Sequence, residues 1–269
     1  LLIRSSLKPL QPIDKAVHAI GQGDLEQSIT PVGSGEFRNL AREINAMVAQ
    51  IRNMLQAKHD LLLAISHELR SPLTRARLNV ELLPPGSRRE ALIDDIREME
   101  GLVSTILESE RLNQKHAVLE KTRFDLAPAI QETIQQYFQG QELRTELSPL
   151  ILFADRMRLQ LLIKNLLDNA IKYSTDTDPL PIIRISQSVQ SIIIEVEDFG
   201  AGMSPEQLAR VTEAFYRSDP ARQRSTGGFG LGLYLCRQIA SAHGGEMVVT
   251  SSQGEGTRVQ ISLPIMAEE

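Results

Sequence analysis

The sequence predicts a multidomain fold: an all-α coiled coil and a helical hairpin that pairs into a four-helix dimer bundle, followed by an α+β domain. Three observations carry this. Apolar residues recur at alternating spacings of three and four over the first hundred or so positions. Beyond about Leu119, two-residue alternation appears between helix-like stretches. The length, 269 residues, exceeds the ~150 of a common domain.

The first element carries Leu10, Ile13, Val17 and Ile20, the seam of a short coiled coil. Gly21, Gly23, Pro31, Gly33 and Gly35 then punctuate a connector that is not regular helix throughout. Periodicity returns at Leu40, Ile44, Met47, Ile51 and Met54. Two short amphipathic helices around such a connector bury little alone, so a second copy is expected to complete a small parallel bundle. The stripe resumes at Leu62, Ile65, Leu69 and Leu73, but Lys58 stands where the register calls for an apolar residue. Such a stutter changes the local supercoil and suits a register change between two packing states; an ordinary coiled-coil irregularity gives the same pattern. Pro84-Pro85-Gly86 ends this helix, and Ser87 can cap the next, which carries Leu92, Ile96, Met99, Val103 and Ile106. Two such hairpins make a four-helix bundle.

In the α+β part, strands are expected at 119–124, 182–188, 191–197, 246–251 and 257–263, and helices near 126–138, 155–173, 205–211 and 231–242. Tight turns at Gln190 and Gly254-Glu255-Gly256 join consecutive strands, which predicts hairpins in a mixed sheet with helices stacked on one face.

Composition excludes several classes. With 29 basic and 34 acidic residues the net charge is -5, so no global basic field invites nucleic acid, and phosphate chemistry must be local. Cys236 stands alone, which excludes an intramolecular disulfide or a Cys-rich zinc site and fits a reducing compartment. No apolar run reaches the roughly 18 residues of a spanning helix, so this piece is expected to be soluble. The opening Leu1-Leu2-Ile3-Arg4, without an initiator Met, suits the trimmed end of a longer, membrane-anchored protein.

Four constellations bear on chemistry. In Ser66-His67-Glu68-Leu69-Arg70-Ser71-Pro72-Leu73, His67 falls at a solvent-facing f position if Leu62 and Ile65 are a and d. Glu68 can accept from one ring nitrogen and leave the other the better nucleophile, although a plain surface histidine looks the same. Pro72 is expected to bend the helix just beyond. The second is the stripe of Asn165, Asn169 and Lys172 beside the apolar face of Leu162, Ile163, Leu166, Leu167 and Ala170. Asparagine is a mediocre helix former, so two aligned copies favour function over a solvated rim. Their amide oxygens suit Mg²⁺, and Lys172 suits a phosphate.

Third, Asp198-Phe199-Gly200-Ala201-Gly202 follows an apolar strand; the carboxylate can accept the exocyclic amine of adenine, and the same letters make an ordinary turn. Fourth, Gly227-Gly228-Phe229-Gly230-Leu231-Gly232-Leu233 runs into a helix whose free N–H groups suit phosphate. It lacks the Gly-Lys-Ser/Thr of a Walker loop and the preceding strand of a dinucleotide fingerprint. Between the last two, Ala214-Phe215-Tyr216-Arg217-Ser218-Asp219 and the Arg222/Arg224 pair read either as a lid with cations for a triphosphate or as solvated loop charges.

Together and in this order, these residues resemble a bacterial sensor histidine kinase whose ATP-binding domain is of the gyrase/Hsp90/histidine-kinase/MutL superfamily, and the resemblance covers essentially the whole chain. It implies a HAMP-like relay over residues 1–54, with Gly23-Asp24-Leu25 and Gly35-Glu36-Phe37 at family-typical spots, a dimerisation and histidine-phosphotransfer hairpin over 55–114, and an α+β sandwich ATP-binding domain over 115–269. By the same resemblance His67 is the phosphoacceptor, Glu68 its polarising base, and Asn169 with Asn165 the Mg²⁺ ligands. Lys172 and Tyr173 serve phosphate and sugar, Asp198 with Gly200 and Gly202 the adenine, and Arg217 the γ-phosphate. Gly228, Gly230, Leu231 and Gly232 serve the lid and polyphosphate, while Gly254, Gly256 and Thr257 resemble the last adenine motif.

Two positions depart from the family pattern. Ser71 stands for the usual Thr four residues after the histidine, keeping a hydroxyl that can orient water for dephosphorylating the partner regulator. Ala214 replaces a common Pro, which implies a looser lid.

The implied function is ATP-dependent autophosphorylation of His67, transfer to an Asp in the receiver domain of a response regulator, and regulator phosphatase activity, with the ATP domain swinging on a linker around 113–121. A homodimer on the cytoplasmic side of a bacterial inner membrane, anchored upstream of Leu1, is the expected setting. A non-catalytic dimeric scaffold and an ATPase of the same superfamily are the competing readings; the first would tolerate loss of Asn165, Asn169 and Asp198, and the second would not need His67-Glu68 on a bundle.

Overall fold

A computed structural model describes residues 16–18, 20, 25, 28–30, 35–113, 119–175, 177–217 and 229–265. The chain divides into two compact units, Leu1–Glu68 and Leu69–Glu269.

Helix α1, Glu36–Glu81, runs for 46 residues, and the apolar stripes on either side of Lys58 belong to it alike. Its continuity follows from composition: no Gly or Pro occurs between Gly35 and Pro72. The expected bend at Pro72 does not end the helix, which continues for nine residues beyond it.

In the first unit, Ala16, Ile29 and Ala41 form a small core with Phe37 and Ile44 against it. Asn45 fastens this core. Its side chain accepts from the N–H of Ile29 at 2.9 Å and donates to the Ile29 carbonyl at 2.8 Å, satisfying a backbone pair that has no strand partner. Met47 and Met54, expected in a seam, are 61% and 67% exposed in the single chain. The seam residues Leu10 and Ile13, and Gly21, Gly23, Asp24, Pro31 and Gly33 of the connector, lie outside the described residues.

In the second unit, α1 ends before Pro84, and helix α2, Ser87–Asn113, returns. Ser87 is not its cap: the Gly86 carbonyl accepts the first helical bond, from Glu90 N–H at 3.1 Å, so Ser87 already lies inside. The α+β part follows as β1 Lys121–Asp125, α3 Leu126–Tyr137, β2 Arg144–Glu146, β3 Ile151–Asp155, α4 Arg156–Tyr173, β4 Ile182–Gln187, β5 Ser191–Asp198, α5 Pro205–Leu208, α6 Gly232–Ala242, β6 Glu246–Ser252 and β7 Gly256–Pro264. β1 and β3 form an antiparallel pair; the main sheet runs β2-β4-β5-β7-β6, with only β2 and β4 parallel.

Alternation sorts the sheet into two faces. Ile192, Ile194 and Val196 of β5 are buried and join Ile183, Ile185, Val259, Ile261 and Leu263 beneath α4 and α6. The opposite face is polar. There Arg184 holds Glu146, Glu195 and Glu197 at 3.0, 2.8 and 2.6 Å, and Arg258 reaches Glu197 at 2.6 Å. Burial draws the Glu197 carboxyl upward, but hydrogen bonds from Arg184 and Arg258 hold it below the usual carboxylate range.

Aspartates begin the two long helices of this layer. Asp125 accepts from Ala127 N–H and from Leu150 N–H, and Asp155 accepts from Arg158 N–H and from Glu120 N–H, so each cap also ties a neighbouring segment to its helix. α2 packs on α6, and Arg158 Nε donates to Glu108 Oε1 at 2.8 Å, joining α2 to α4. Cys236 is buried against the Leu162 carbonyl, and burial pushes its thiol up, out of the reactive range.

Candidate nucleotide site

Apolar burial of Leu159, Leu162, Ile163, Leu166 and Leu167 fixes the rotation of α4 and turns Asn165, Asn169 and Lys172 toward a cleft of about 590 Å³. The size is within the ~300–1,000 Å³ of common ligand pockets. Tyr173, Asp198, Gly202, Arg217, Gly230, Leu231, Gly232 and Thr257 line it as well. The asparagine stripe, the Asp198 motif, Arg217, the glycine-rich loop and Thr257, scattered in sequence, thus meet at one place.

At the polar end, Asn165 donates its amide to the Leu161 carbonyl at 2.8 Å, which assigns the amide orientation and leaves Oδ1 as the outward atom. The start of α6 is close: a Cβ on Gly232 would stand 3.2 Å from Asn165 Oδ1 and 3.6 Å from Asn169 Nδ2. Leu231, at the N-cap, makes no side-chain cap bond to the first turn of α6, whose positive dipole end faces the cleft through Gly232. Burial lowers the Lys172 pKa, and Arg217 lowers it further, while Glu98 and Asp168 oppose the shift. Burial raises that of Tyr173, whose ring lies 5.3 Å from Lys172 Nζ. Oxygen donors, a helix start and two cations suit a hydrated Mg²⁺ and a polyphosphate.

The other end is apolar with one buried acid. Burial pushes Asp198 up to about 6, against hydrogen bonds donated to Oδ1 by Gly200 N–H at 3.1 Å and Thr257 N–H at 3.2 Å. The strand register explains the second bond, since Asp198 pairs with Thr257 across β5 and β7. Gly202 has φ 63°, and a Cβ there would lie 1.9 Å from the Ser252 carbonyl oxygen, so only glycine fits. Gly256 approaches equally closely, with a Cβ 2.0 Å from the Asp198 carbonyl oxygen. Gly200 does not line the cleft; it packs behind it, against the Tyr173 carbonyl.

The histidine motif lies on α1. His67 and Glu68 are exposed, and no hydrogen bond joins them, because adjacent helical residues diverge by about 100°. Ser71 accepts from Arg75 at 2.7 Å. Gly228, Ser218, Asp219, Arg222 and Arg224 lie outside the described residues.

Sequence reasoning missed the α2 wall of the cleft, formed by Glu98, Gly101, Leu102 and Thr105. Their i, i+3, i+4, i+7 spacing puts them on one helix face, but with only Leu102 apolar among them the sequence carries no stripe there. It also missed Ser251, whose hydroxyl meets Met203, Gly256 and Thr257; a serine in a strand of mixed polarity gives no signal.

This fold and cleft define a nucleotide-binding domain of a known kind: residues 154–267 match the family of histidine kinase-, DNA gyrase B-, and HSP90-like ATPases. Residues 57–115 match the His Kinase A (phospho-acceptor) domain and 1–53 the HAMP domain. The chain belongs to the bacterial sensor histidine kinases. It is 28% identical to the signal transduction histidine-protein kinase BaeS of Escherichia coli K12 over 98% of this chain and 59% of that one. It is 30% identical to the sensor histidine kinase GtrS of Pseudomonas aeruginosa over 100% of this chain and 55% of that one. The crystal structure of full-length ShkA in complex with AMPPNP matches with a TM-score of 0.64 and 25% identity, over 78% of this chain and 47% of that one. The chain therefore spans little more than half the length of these curated relatives. Among the described residues no helix is long and apolar enough to cross a membrane.

Proposed function

We propose that this chain is the signalling and catalytic portion of a two-component sensor kinase, with a relay over 1–54, a phosphotransfer hairpin over 55–114 and an ATP-binding domain over 115–269. The observation that carries this reading is the convergence of Asn165, Asn169, Lys172, Asp198 and the start of α6 on one cleft, in a chain that also presents an exposed His67.

Asp198 receives the adenine amine. Lys172, Tyr173 and Arg217 hold sugar and phosphates, with Gly230, Leu231, Gly232 and Gly228 enclosing the polyphosphate. Asn169 and Asn165 hold Mg²⁺, which when bound neutralises phosphate charge. A ring nitrogen of His67 forms a bond to the γ-phosphorus as the bond to the β,γ-bridging oxygen breaks, so ADP leaves and phosphohistidine remains. The phosphoryl group then passes to a receiver-domain Asp of a response regulator, and the Ser71 hydroxyl orients the water that later hydrolyses it. Exposed Met47 and Met54 support a homodimer that covers the stripe. The working setting is the cytoplasmic side of an inner membrane, with the anchor upstream of Leu1.

The test is incubation with γ-labelled ATP. Wild type acquires acid-labile, base-stable phosphate, His67→Gln acquires none, and Asn169→Ala loses labelling while remaining dimeric. Undiminished label in His67→Gln refutes the assignment.

A further inference from the structure

Ser251 stands where three segments meet at the base end of the cleft. Its Oγ lies 2.6 Å from the Gly256 carbonyl oxygen, 3.0 Å from the Met203 amide nitrogen and 3.0 Å from Thr257 Oγ1. A serine hydroxyl has one hydrogen, and a carbonyl oxygen can only accept. The hydrogen of Ser251 therefore lies on the Gly256 bond. Met203 N–H and the Thr257 hydroxyl must then both donate to Ser251 Oγ.

The consequence appears one residue closer to the ligand. Thr257 lines the cleft, yet its hydroxyl hydrogen is committed to Ser251, so toward a ligand its Oγ1 can only accept. Its neighbour Asp198 already accepts two backbone N–H groups through Oδ1, and its other oxygen is again an acceptor. The two side chains that flank the base thus offer acceptors together.

We propose that Ser251 is a positioning residue that determines base specificity: by drawing off the Thr257 hydroxyl proton, it keeps this edge of the cleft acceptor-only and selects a 6-amino purine over a 6-oxo purine. A 6-amino group donates, whereas a 6-oxo group accepts and sets lone pairs against lone pairs. Buried polar groups left unpaired in this way discriminate far more strongly than a change in pocket size. The inference rests on the cleft being the nucleotide site proposed above.

The experiment is titration calorimetry of the whole 269-residue chain with ATP and with GTP in the presence of Mg²⁺. Wild type binds ATP in strong preference to GTP. In Ser251→Ala the Thr257 hydroxyl regains its freedom to donate, and the ATP-to-GTP affinity ratio falls about tenfold, the scale of one buried hydrogen bond. Ser251→Thr, which retains the hydroxyl, keeps the wild-type ratio. Should Ser251→Ala fail to fold, Thr257→Val removes the directed hydroxyl at nearly constant shape and lowers the ratio similarly. Equal weakening of both nucleotides, with the ratio unchanged, overturns the specificity role and leaves the nucleotide site standing. A wild-type chain that binds neither nucleotide overturns the site itself.

Discussion

Nε2 of the buried His243 imidazole accepts the backbone N–H of Asp155 at 3.1 Å, while Nδ1 donates to the Ile239 carbonyl at 2.8 Å. The ring is therefore a neutral tautomer joining the end of α6 to the start of α4. A proton on Nε2 would face a donor rather than an acceptor.

Burial lowers the His243 pKa, despite the opposing Ile239 bond and the Asp155 charge; Lys121 and Arg158 push in the same direction as burial. Below the ordinary value of about 6.5, the unfolded chain binds the proton that the folded chain refuses, so this group favours folding above that pH and loses its contribution as pH falls. Melting curves between pH 5 and 7.5 are expected to show wild type losing more stability on acidification than His243→Gln. Parallel curves would contradict the assignment.

Asp198 behaves oppositely for folding and directly for binding. With its pKa raised to about 6, the folded chain holds a proton more tightly than the unfolded one between about 4 and 6, so this group weakens folding as pH rises through that window. An adenine amine bonds the carboxylate more strongly than the neutral acid, so ATP affinity is expected to fall as pH drops below about 6. Phosphate titration affects every variant alike. The wild-type to Asp198→Asn affinity ratio should therefore be about tenfold or more at pH 7.5 and shrink toward pH 5, as measured by calorimetry.

Two glycines of the base end should respond differently to alanine. Gly202→Ala meets the Ser252 carbonyl at 1.9 Å, and nucleotide binding should be abolished. Gly254 also has a positive φ, 84°, but its Cβ would enter open space, so Gly254→Ala should cost only about 1–2 kcal/mol of backbone strain. Comparable loss of ATP affinity in both would show that the predicted clash does not govern the loop.

Leu162 and Ile194 are fully buried on facing layers of the core, and truncating either to alanine should cost about 2–5 kcal/mol in chemical denaturation. Val189, 97% exposed in the β4–β5 turn, should change stability by less than about 0.5 kcal/mol when truncated.

Much of the site was legible because its residues are wasteful as mere structure. Asn165 and Asn169 weaken the helix they occupy, and Asp198 ends an apolar strand, so each invites a chemical explanation. Burial of the neighbouring Leu and Ile side chains then made the rotation of α4 predictable. The missing pieces had no local signature. β2 is three exposed residues, held by parallel pairing with β4 that only the folded sheet supplies, and β3 was absorbed into the approach to α4. The helix expected over 205–211 closes after Leu208, where reciprocal bonds between Ser204 and Gln207 complete a single turn. Glu98 and Thr105 reach the cleft because α2 packs on α6, a tertiary fact that periodicity along α2 does not state.

The unbroken course of α1 from Glu36 past His67 makes residue count a mechanical variable. At about 100° per residue, an insertion of two residues in this stretch would swing the imidazole roughly 200° around the axis, whereas seven residues would return it to within about 20° of its original bearing. Splices between upstream segments and this helix should therefore preserve signalling in steps of seven and scramble it at most other lengths.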